Sequence, residues 1–354
     1  MASFTCSGVR VAGIAACVPE AEISNHDYTW IPEKERNLLI KTTGVEKRRV
    51  AADGVTTSDL TIAAANRLLD DMGWSRSEIG ILVFVSQSRD YPLPATSCII
   101  QDRMGLPQTT YTIDINQGCS GYIYGLSSVM GLMSSFGIGK GLLMVGDIST
   151  KHTSYRDKSA YPLFGDAGTA TALELNKNTP GTSFNIRTDG SGYEAIIIPD
   201  GGMRNLISKK SFDYKKISEG IYRHRVQLAL DGIRVFNFAL AEVVPNINEL
   251  LSKEGISIED ADYLILHQAN LLINDTIRRK MKLQKEKVPV SITRFGNTSC
   301  ASIPLTMVSE IGQELREKPL KMVLSGFGVG LSWGSAILHT DKIICPELIE
   351  YTQQ

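Results

Sequence analysis

The stretch Tyr111-Thr-Ile-Asp-Ile-Asn-Gln-Gly-Cys-Ser-Gly-Tyr122 decides the fold, because a strand turns into a helix inside it. Residues 110–115 alternate like a strand, whereas apolar residues in 121–136 recur at three- and four-residue spacing, which predicts a buried helix. Cys119 lies at the junction, where two glycines permit a tight turn. A thiol there faces the free amides of a helix start, which predicts a lowered pKa and a reactive thiolate. A buried, inert cysteine is the alternative.

The composition excludes several classes of protein. The chain has 354 residues, enough for two domains or one large two-lobed unit. A net charge of −1 gives no general attraction to nucleic acid or to a membrane surface. Six cysteines without a C-x-x-C pair favour a reduced, cytoplasmic setting and no cysteine metal site. Residues 9–18 predict a first strand, and no segment approaches the roughly 20 apolar residues of a membrane span.

Strand and helix patterns alternate along the chain. The predicted strands, besides the first and 110–115, are 79–86, 140–146, 169–175, 195–199, 263–266, 288–292 and 321–325. The predicted helices, besides 121–136, are 57–72, 96–104, 226–251, 270–281 and 302–315. Residues 179–216 are rich in glycine, serine, lysine and aspartate, which predicts inserted loops around the strand 195–199. Alternation of this kind indicates an α/β fold with helices on the faces of the sheet.

The second half of the chain repeats the first at a single offset of 181 residues. That offset relates Ser86 and Gln87 to His267 and Gln268, Asn116 to Asn297, Cys119 to Cys300, and Lys140 to Lys321. Because several strand ends share it, we predict a duplicated α/β unit. The predicted halves are residues 1–178, with the nucleophile Cys119, and residues 179–354, with the insertion loops, His267 and Asn297.

Duplication predicts that three distant residues converge. Ligands of open α/β sheets bind at strand ends, and Cys119, His267 and the turn that carries Asn297 all follow predicted strands. A cysteine, a histidine and an asparagine together form an activated nucleophile with a base or an orienting partner. The alternatives are a structural histidine and an ordinary turn asparagine. A structural role is the expectation for the remaining histidines, His26, His152, His224 and His339.

Five segments carry a resemblance to a known family. The sequence resembles β-ketoacyl-acyl-carrier-protein synthase III, the FabH-like branch of the thiolase superfamily, over about residues 9–338. The segments are Asp114-Ile-Asn-Gln-Gly-Cys-Ser-Gly121, Phe164-Gly-Asp-Ala-Gly168, His267-Gln-Ala-Asn270, Gly296-Asn-Thr-Ser299 and Gly326-Phe-Gly-Val-Gly-Leu-Ser-Trp-Gly334. The combination of His267-Gln-Ala-Asn270 with Gly296-Asn-Thr-Ser299 is specific for this family, whereas the glycine turns alone are not. The resemblance implies the duplicated, five-layered αβαβα thiolase fold.

The resemblance also implies roles for matching residues. Cys119 would accept the acyl group, and His267 and Asn297 would assist it and stabilise an enolate. The backbone amides of Cys119 and Val329 would form the oxyanion hole, although a glycine-rich turn at this place is otherwise only flexible. Phe327 would guard the nucleophile. In a homodimer, Leu93 of the partner subunit would close the acyl pocket, and the alternative is an ordinary surface loop between two prolines.

The implied activity is that of a cytoplasmic condensing enzyme in lipid metabolism, as in fatty acid biosynthesis. The enzyme would acylate itself on Cys119 and condense the acyl group with a malonyl thioester, releasing carbon dioxide. Its substrates would be acyl-coenzyme A or acyl-carrier protein and malonyl-carrier protein, with no metal and no cofactor. The starter acyl group, its donor and the pathway stay open.

The sequence departs from the family at the entrance to the site. Members that use a coenzyme A starter commonly place a tryptophan and an arginine where this chain has Leu38 and Thr42, and a basic residue where it has Leu272. A basic run, Arg278, Arg279 and Lys280, remains nearby and predicts contact with an acidic carrier protein. A solvated helix face is the alternative for that run. We therefore predict that acyl-carrier protein is a better donor than acyl-coenzyme A.

Three other functions fit part of the pattern. A FabH-like acyltransferase would move the acyl group from Cys119 to a hydroxyl or amine without decarboxylation, and Asn297 favours condensation over it. A non-catalytic partner subunit is disfavoured because the cysteine, the histidine and the asparagine are all present. A cysteine protease is disfavoured because the sequence around Cys119 lacks the C-G-S/A-C-W/Y pattern of that family.

Overall fold

A computed structural model describes residues 2–353. Its α-helices are α1 Glu33–Thr43, α2 Thr57–Met72, α3 Thr96–Arg103, α4 Gly121–Phe136, α5 Gly232–Glu254, α6 Leu271–Lys280, α7 Ile292–Phe295 and α8 Ser302–Glu317. Its strands are β1 Ala2–Cys6, β2 Val9–Pro19, β3 Glu22–Ser24, β4 Lys47–Arg49, β5 Ile79–Val85, β6 Tyr111–Ile115, β7 Lys140–Ile148, β8 Asp166–Leu175, β9 Thr182–Thr188, β10 Ile196–Ile197, β11 Lys215–Ser218, β12 Ile221–Arg223, β13 Ala229–Leu230, β14 Tyr263–Leu266, β15 Leu320–Gly328, β16 Ser332–Thr340 and β17 Ile349–Tyr351. Within this range no helix has the length and apolar character to span a membrane.

Two sheets with matching strand order form the framework. The six-stranded sheet has the order β17-β2-β8-β7-β5-β6, and the five-stranded sheet has the order β1-β9-β16-β15-β14. Strands β2, β8, β7 and β5 of the first sheet correspond to β9, β16, β15 and β14 of the second, with the same sequence of antiparallel and parallel neighbours. This correspondence agrees with a duplicated unit.

Helices fill three layers around the two sheets. Helices α4 and α8 pack between the sheets in one shared apolar core. Helices α2 and α3 cover the outer face of the six-stranded sheet, and α5 and α6 cover the outer face of the five-stranded sheet. The result is the five-layered αβαβα arrangement of the thiolase fold, which confirms the predicted fold class.

The strand predicted at residues 288–292 is wrong. The structure has no strand there, and α7 begins at Ile292. Pro289 lies inside the predicted segment and lacks the amide hydrogen that a strand within a sheet must donate. Nine of the observed strands were not predicted, and two of them, β9 and β16, lie in the interior of the five-stranded sheet. The seven residues of β9 lie in a region whose polar composition indicates loops, and their pairing with β1 and β16 holds them in the sheet.

The ends of the chain cross between the halves. Strand β1 pairs with β9 in the five-stranded sheet, whereas β17 pairs with β2 in the six-stranded sheet. The predicted division at residue 178 falls between the end of β8 at Leu175 and the start of β9 at Thr182. Each sheet therefore takes one edge strand from the opposite end of the sequence.

Candidate active site

Cys119 lies between the end of β6 at Ile115 and the start of α4 at Gly121. It is 7% exposed and lines a cavity of about 220 Å³. A Cβ atom at Gly118 would overlap the side chains of Gln87 and Val329, so only glycine fits beside the cysteine. The sequence thus places the thiol at a turn that has no room for a larger neighbour.

The glycine turn 326–330 packs directly on this thiol. Gly328 has a φ of +156°, and a Cβ atom there would lie 2.6 Å from Cys119 Cβ and 2.7 Å from its Sγ. The backbone amides of Val329 and of Cys119 itself both act to lower the pKa of this thiol, which favours its thiolate form. Two backbone amides therefore lie close to the thiol of Cys119.

The prediction of a lowered thiol pKa is wrong in direction. Burial raises the pKa of Cys119, because a thiolate in this cavity loses its hydration. The amide of Val329, the amide of Cys119 and the side chain of Ser299 oppose that shift, while the carboxylate of Asp147 adds to it. The helix start does not outweigh desolvation, so the free protein holds Cys119 as a thiol near neutral pH.

His267 follows β14 directly and is 1% exposed. Its Nδ1 lies 2.7 Å from Ser302 Oγ, and its ring meets the ring of Phe327 edge to face, with the centroids 5.5 Å apart. Burial lowers the pKa of His267 to about 3, and the backbone of Ser299 offsets only part of that shift. The imidazole is therefore neutral at physiological pH, and the hydroxyl of Ser302 helps to fix its orientation.

Asn297 lies on the turn after α7 and is 4% exposed. Its Oδ1 accepts a hydrogen bond of 2.9 Å from the amide of Ser299, and its Nδ2 lies 3.4 Å from the carbonyl of Ala269. Because the oxygen is held by the backbone, the amide nitrogen is the group left to donate into the cavity. Gly296, with a φ of +67°, shapes the turn, since a Cβ atom there would lie 2.8 Å from the carbonyl of Leu163.

The structure brings five of the predicted site residues into one cavity. They are Cys119, His267, Asn297, Phe327 and Val329. Leu93 does not line it: its side chain is 85% exposed on the loop before α3. Among residues 2–353, no three histidine, cysteine, aspartate or glutamate side chains converge as ligands of a metal ion. The cavity thus offers a thiol, a neutral imidazole and a side-chain amide beside two backbone amides.

A second pocket adjoins α1 and α6, and it contains the residues of the predicted entrance. Leu38, Thr42, Leu272, Arg278 and Arg279 line it. The two arginines both pair with Asp275 at 2.6 Å, which reduces the positive charge available to a partner. Their exposure differs, at 16% for the side chain of Arg278 and 73% for that of Arg279. Lys280 is not part of this pocket and donates to the carbonyl of Leu240.

Sequence reasoning missed a network that joins the nucleophile to the glycine turn. Gln117 Nε2 donates to Ser120 Oγ at 3.0 Å and to Ser332 Oγ at 2.7 Å, and the two hydroxyls lie 2.8 Å apart. Ser332 also donates to the carbonyl of Val329 at 2.7 Å. Nothing in the spacing of these residues indicates that they meet, because they come from opposite halves of the chain.

Sequence reasoning also missed two ionisable side chains in the wall of the cavity, those of Asp147 and His152. Asp147, 2% exposed near the end of β7, accepts from the amide of Gln87 at 2.7 Å and from the amide of Ser88 at 3.1 Å. A charged residue in an otherwise apolar strand was the available signal. His152, for which a structural role is the expectation, lines the cavity as well.

Comparison with known families gives a consistent result. The model described as 3-oxoacyl-(acyl-carrier-protein) synthase III matches residues 113–190, and the model described as the C-terminal part of the same synthase matches residues 251–340. The beta-ketoacyl-(acyl-carrier-protein) synthase III of Geobacillus kaustophilus is 30% identical over 336 residues, covering 94% of this chain and 99% of the relative.

Solved structures resemble the whole chain. The 3-oxoacyl-(acyl-carrier-protein) synthase of Burkholderia xenovorans LB400 superimposes with a TM-score of 0.93 at 36% identity and covers 99% of both chains. The 3-oxoacyl-(acyl-carrier-protein) synthase III of Pseudomonas aeruginosa PAO1 superimposes with a TM-score of 0.83 at 28% identity, covering 95% of this chain and 99% of that one. The similarity extends through both sheets.

Proposed function

The chain belongs to the 3-oxoacyl-acyl-carrier-protein synthase III family, and from that premise we propose that it transfers an acyl group from a thioester to Cys119 and condenses it with a malonyl thioester. The observation that carries the proposal is the shared cavity of Cys119, His267 and Asn297. A nucleophile beside two side-chain donors is the set of groups that both half-reactions need.

The first half-reaction acylates the thiol. The sulfur of Cys119 attacks the thioester carbonyl, a new carbon–sulfur bond forms, and the donor leaves as a thiol that carries away the proton. In this proposal the amides of Cys119 and Val329, which lie near the sulfur, hold the oxyanion of the intermediate. Because the pKa of Cys119 is raised, the proton has to leave during this step and not before it.

The second half-reaction makes the carbon nucleophile without a strong base. The carboxylate of the malonyl thioester leaves as carbon dioxide, and an enolate remains. The enolate carbon attacks the acyl carbonyl, a carbon–carbon bond forms, and the bond to Cys119 breaks. A neutral His267 and the amide nitrogen of Asn297 are suitable donors to the enolate oxygen, and the low pKa of His267 supports the neutral form.

Two measurements test the proposal. Intact-protein mass spectrometry with a panel of acyl thioesters should give a single acyl adduct, located on Cys119. Addition of malonyl-carrier protein should then release carbon dioxide in proportion to the 3-oxoacyl product. Transfer of the acyl group to a hydroxyl or amine without release of carbon dioxide would replace condensation by the acyltransferase alternative.

We propose further that an acidic carrier protein is the preferred acyl donor. Leu38, Thr42 and Leu272 at the second pocket supply neither an aromatic plane nor a cation for a nucleotide. Arg279, 73% exposed, lines this pocket together with the exposed Lys41 and Lys285, and these cations attract a negatively charged partner. At low salt, kcat/KM should be higher for acyl-carrier protein than for the same acyl group on coenzyme A, and the advantage should shrink as salt rises. Equal use of both donors at low salt would contradict this proposal.

We propose, finally, a homodimer that completes the acyl pocket. Strand β6 lies at the edge of the six-stranded sheet, and Tyr111 and Phe136 are partly exposed beside it. Leu93 is 85% exposed, and in the proposed dimer it enters the acyl pocket of the partner subunit. Sedimentation should show a dimer at micromolar concentration, and Leu93→Ala should change the preferred acyl length. A fully active monomer would exclude a shared pocket.

A further inference from the structure

Three polar side chains in the catalytic cavity have no hydrogen-bond partner within residues 2–353. They are Gln87, Ser149 and His152, and all three line the cavity that contains Cys119. Other polar residues of the same wall are already engaged: Ser88 Oγ lies 2.7 Å from Thr57 Oγ1, and Ser159 Oγ lies 2.5 Å from Asp157 Oδ1. The amide, the hydroxyl and the imidazole are therefore spare hydrogen-bonding groups at the place where an acyl group has to fit.

The three groups are held by the framework of the site. Gln87 follows β5, its amide hydrogen is bound by Asp147, and its side-chain oxygen lies against Gly118 beside the nucleophile. Ser149 and His152 lie three residues apart in the 3₁₀ turn that follows β7. Residues at that spacing in a 3₁₀ helix project on the same face. The turn thus presents a hydroxyl and an imidazole side by side.

A saturated acyl chain would leave these groups without partners. Apolar residues, among them Leu163, Ile198 and Leu228, line the rest of the cavity and would accept such a chain. Gln87 is exposed and Ser149 and His152 are half-buried, so water can satisfy them in the free site. A ligand that shields them from this water without offering a partner is disfavoured, and a site that binds a substrate hydroxyl discriminates strongly against the analogue that lacks it. The cavity is therefore matched to a chain that carries its own polar atom.

The charges of the residues that line the cavity further restrict the class of acyl group that it can accept. Among the described residues, no lysine or arginine lines the cavity, while Asp147 does. Burial lowers the pKa of His152, so its imidazole is neutral near pH 7 and can both donate and accept. A carboxylate on the acyl chain would lack a cation and would meet an acidic neighbour. The volume of about 220 Å³ is below the roughly 300–1,000 Å³ of pockets for drug-sized ligands, so the chain is short.

We infer that the acyl group accepted by Cys119 is short, uncharged and hydroxylated, and that Gln87, Ser149 and His152 recognise its hydroxyl. The inference rests on the proposed function, since it names the substrate of the same thiol. In the reaction, the carbon–sulfur bond of the donor breaks, the bond to Cys119 forms, and the donor thiol leaves with the proton. The hydroxyl takes no part in this exchange and serves only for selection.

The test compares matched acyl groups on one carrier. Butyryl, 2-hydroxybutyryl, 3-hydroxybutyryl and succinyl thioesters of the same carrier protein are mixed with the full chain, and acylation of Cys119 is followed by intact mass. At least one hydroxybutyryl thioester should have a kcat/KM about tenfold or more above that of butyryl, with succinyl the poorest. If butyryl acylates Cys119 as fast as both hydroxy analogues, the inference is overturned and the proposed function stands. If no thioester acylates Cys119, the proposed function itself fails.

Variants of Ser149 and His152 test whether these side chains cause the preference for a hydroxylated acyl group. The double variant Ser149→Ala, His152→Leu should lose most of the hydroxyacyl preference, measured as the ratio of kcat/KM for the preferred hydroxybutyryl thioester to kcat/KM for butyryl. Ser159→Ala is the matched control, because its hydroxyl lines the same cavity but is bound to Asp157, and it should keep the wild-type ratio. If the double variant does not fold, as judged by its melting temperature, the single variant Ser149→Ala serves instead. An unchanged ratio in a folded Ser149 variant would overturn the assignment.

Discussion

Cys119 and Cys300, which the 181-residue offset relates, have opposite surroundings. Cys119 follows a strand, lines the catalytic cavity and lies under the glycine turn. Cys300 follows α7 and a turn in which Ser299 has a φ of +52°, and its thiol donates to Asp147 Oδ2 at 3.2 Å. At 1% exposure it does not line the cavity. The two related positions both hold a cysteine, and only the neighbours of Cys119 leave the thiol in the cavity, where the proposed function needs a nucleophile.

Two of the other related pairs, Ser86 with His267 and Asn116 with Asn297, diverge in the opposite direction. His267 and Asn297 of the second half line the cavity, whereas their first-half counterparts do not. Ser86 is bound to Asp147 at 3.0 Å, and Asn116 is exposed. Each half thus contributes a different part of one site: the first supplies the sulfur, and the second supplies the donors. The predictions below test this division of labour.

The largest effect is expected from replacing each of the two related cysteines, Cys119 and Cys300, by alanine. Cys119→Ala should reduce acylation by more than about a thousandfold, because the nucleophile of the covalent step is removed. Cys300→Ala should retain acylation, since its thiol does not reach the cavity. Intact mass after incubation with an acyl thioester reports both variants, and their melting temperatures report the fold.

The comparison would fail in two ways. An acyl adduct that forms on Cys119→Ala at the wild-type rate would place the nucleophile elsewhere. Loss of acylation in a folded Cys300→Ala would give the second cysteine a part in the chemistry. Either result would contradict the view that the local surroundings of Cys119 and Cys300 decide which of them is the nucleophile.

Gly328→Ala should reduce acylation by about a hundredfold, because the added Cβ atom would lie 2.6–2.7 Å from the side chain of Cys119. The φ of +156° adds backbone strain for any other residue. Gly131→Ala, in α4, is the matched control: no atom lies within 4 Å of its added Cβ, and alanine favours a helix. Single-turnover acylation rates measure both variants. A Gly328 variant that keeps the wild-type rate would show that the turn does not confine the thiol.

Removal of the second-half donors should separate the two half-reactions. His267→Ala and Asn297→Ala should each slow decarboxylation by about a hundredfold, or about 3 kcal/mol, since one donor to the enolate is lost. Self-acylation should fall less, because its oxyanion is held by backbone amides that survive both changes. Asn116→Ala, at the related place in the first half, should change neither step. Rates of malonyl decarboxylation and of acyl adduct formation measure the difference, and equal losses in both would assign His267 to activation of the thiol.

The sequence predicted the parts of this arrangement that depend on local pattern. The helix 121–136 and the strand 263–266 agree with the structure residue for residue, because each is a continuous apolar pattern bounded by a clear stop. The convergence of Cys119, His267 and Asn297 followed from one shared offset. The bonds from Ser332 to Gln117 and the position of His152 were not predictable, because they depend on how the halves pack. The predicted direction of the pKa shift of Cys119 was wrong for the same reason, since the extent to which this thiol is buried depends on the tertiary structure.

The smallest effect is a shift in reactivity with pH, and it distinguishes the two cysteines without any substrate. Because burial raises the pKa of Cys119, its alkylation rate should continue to increase above pH 9 instead of levelling off near the usual value of about 8.5. Asp147→Asn should move that profile to lower pH, since the carboxylate contributes to the shift. Cys300, whose pKa is raised further by burial and by Asp147, should remain unmodified until the chain unfolds. Peptide mapping after brief exposure to iodoacetamide separates these two thiols from the exposed Cys98. A plateau for Cys119 below pH 8 would mean that the helix start prevails over desolvation after all.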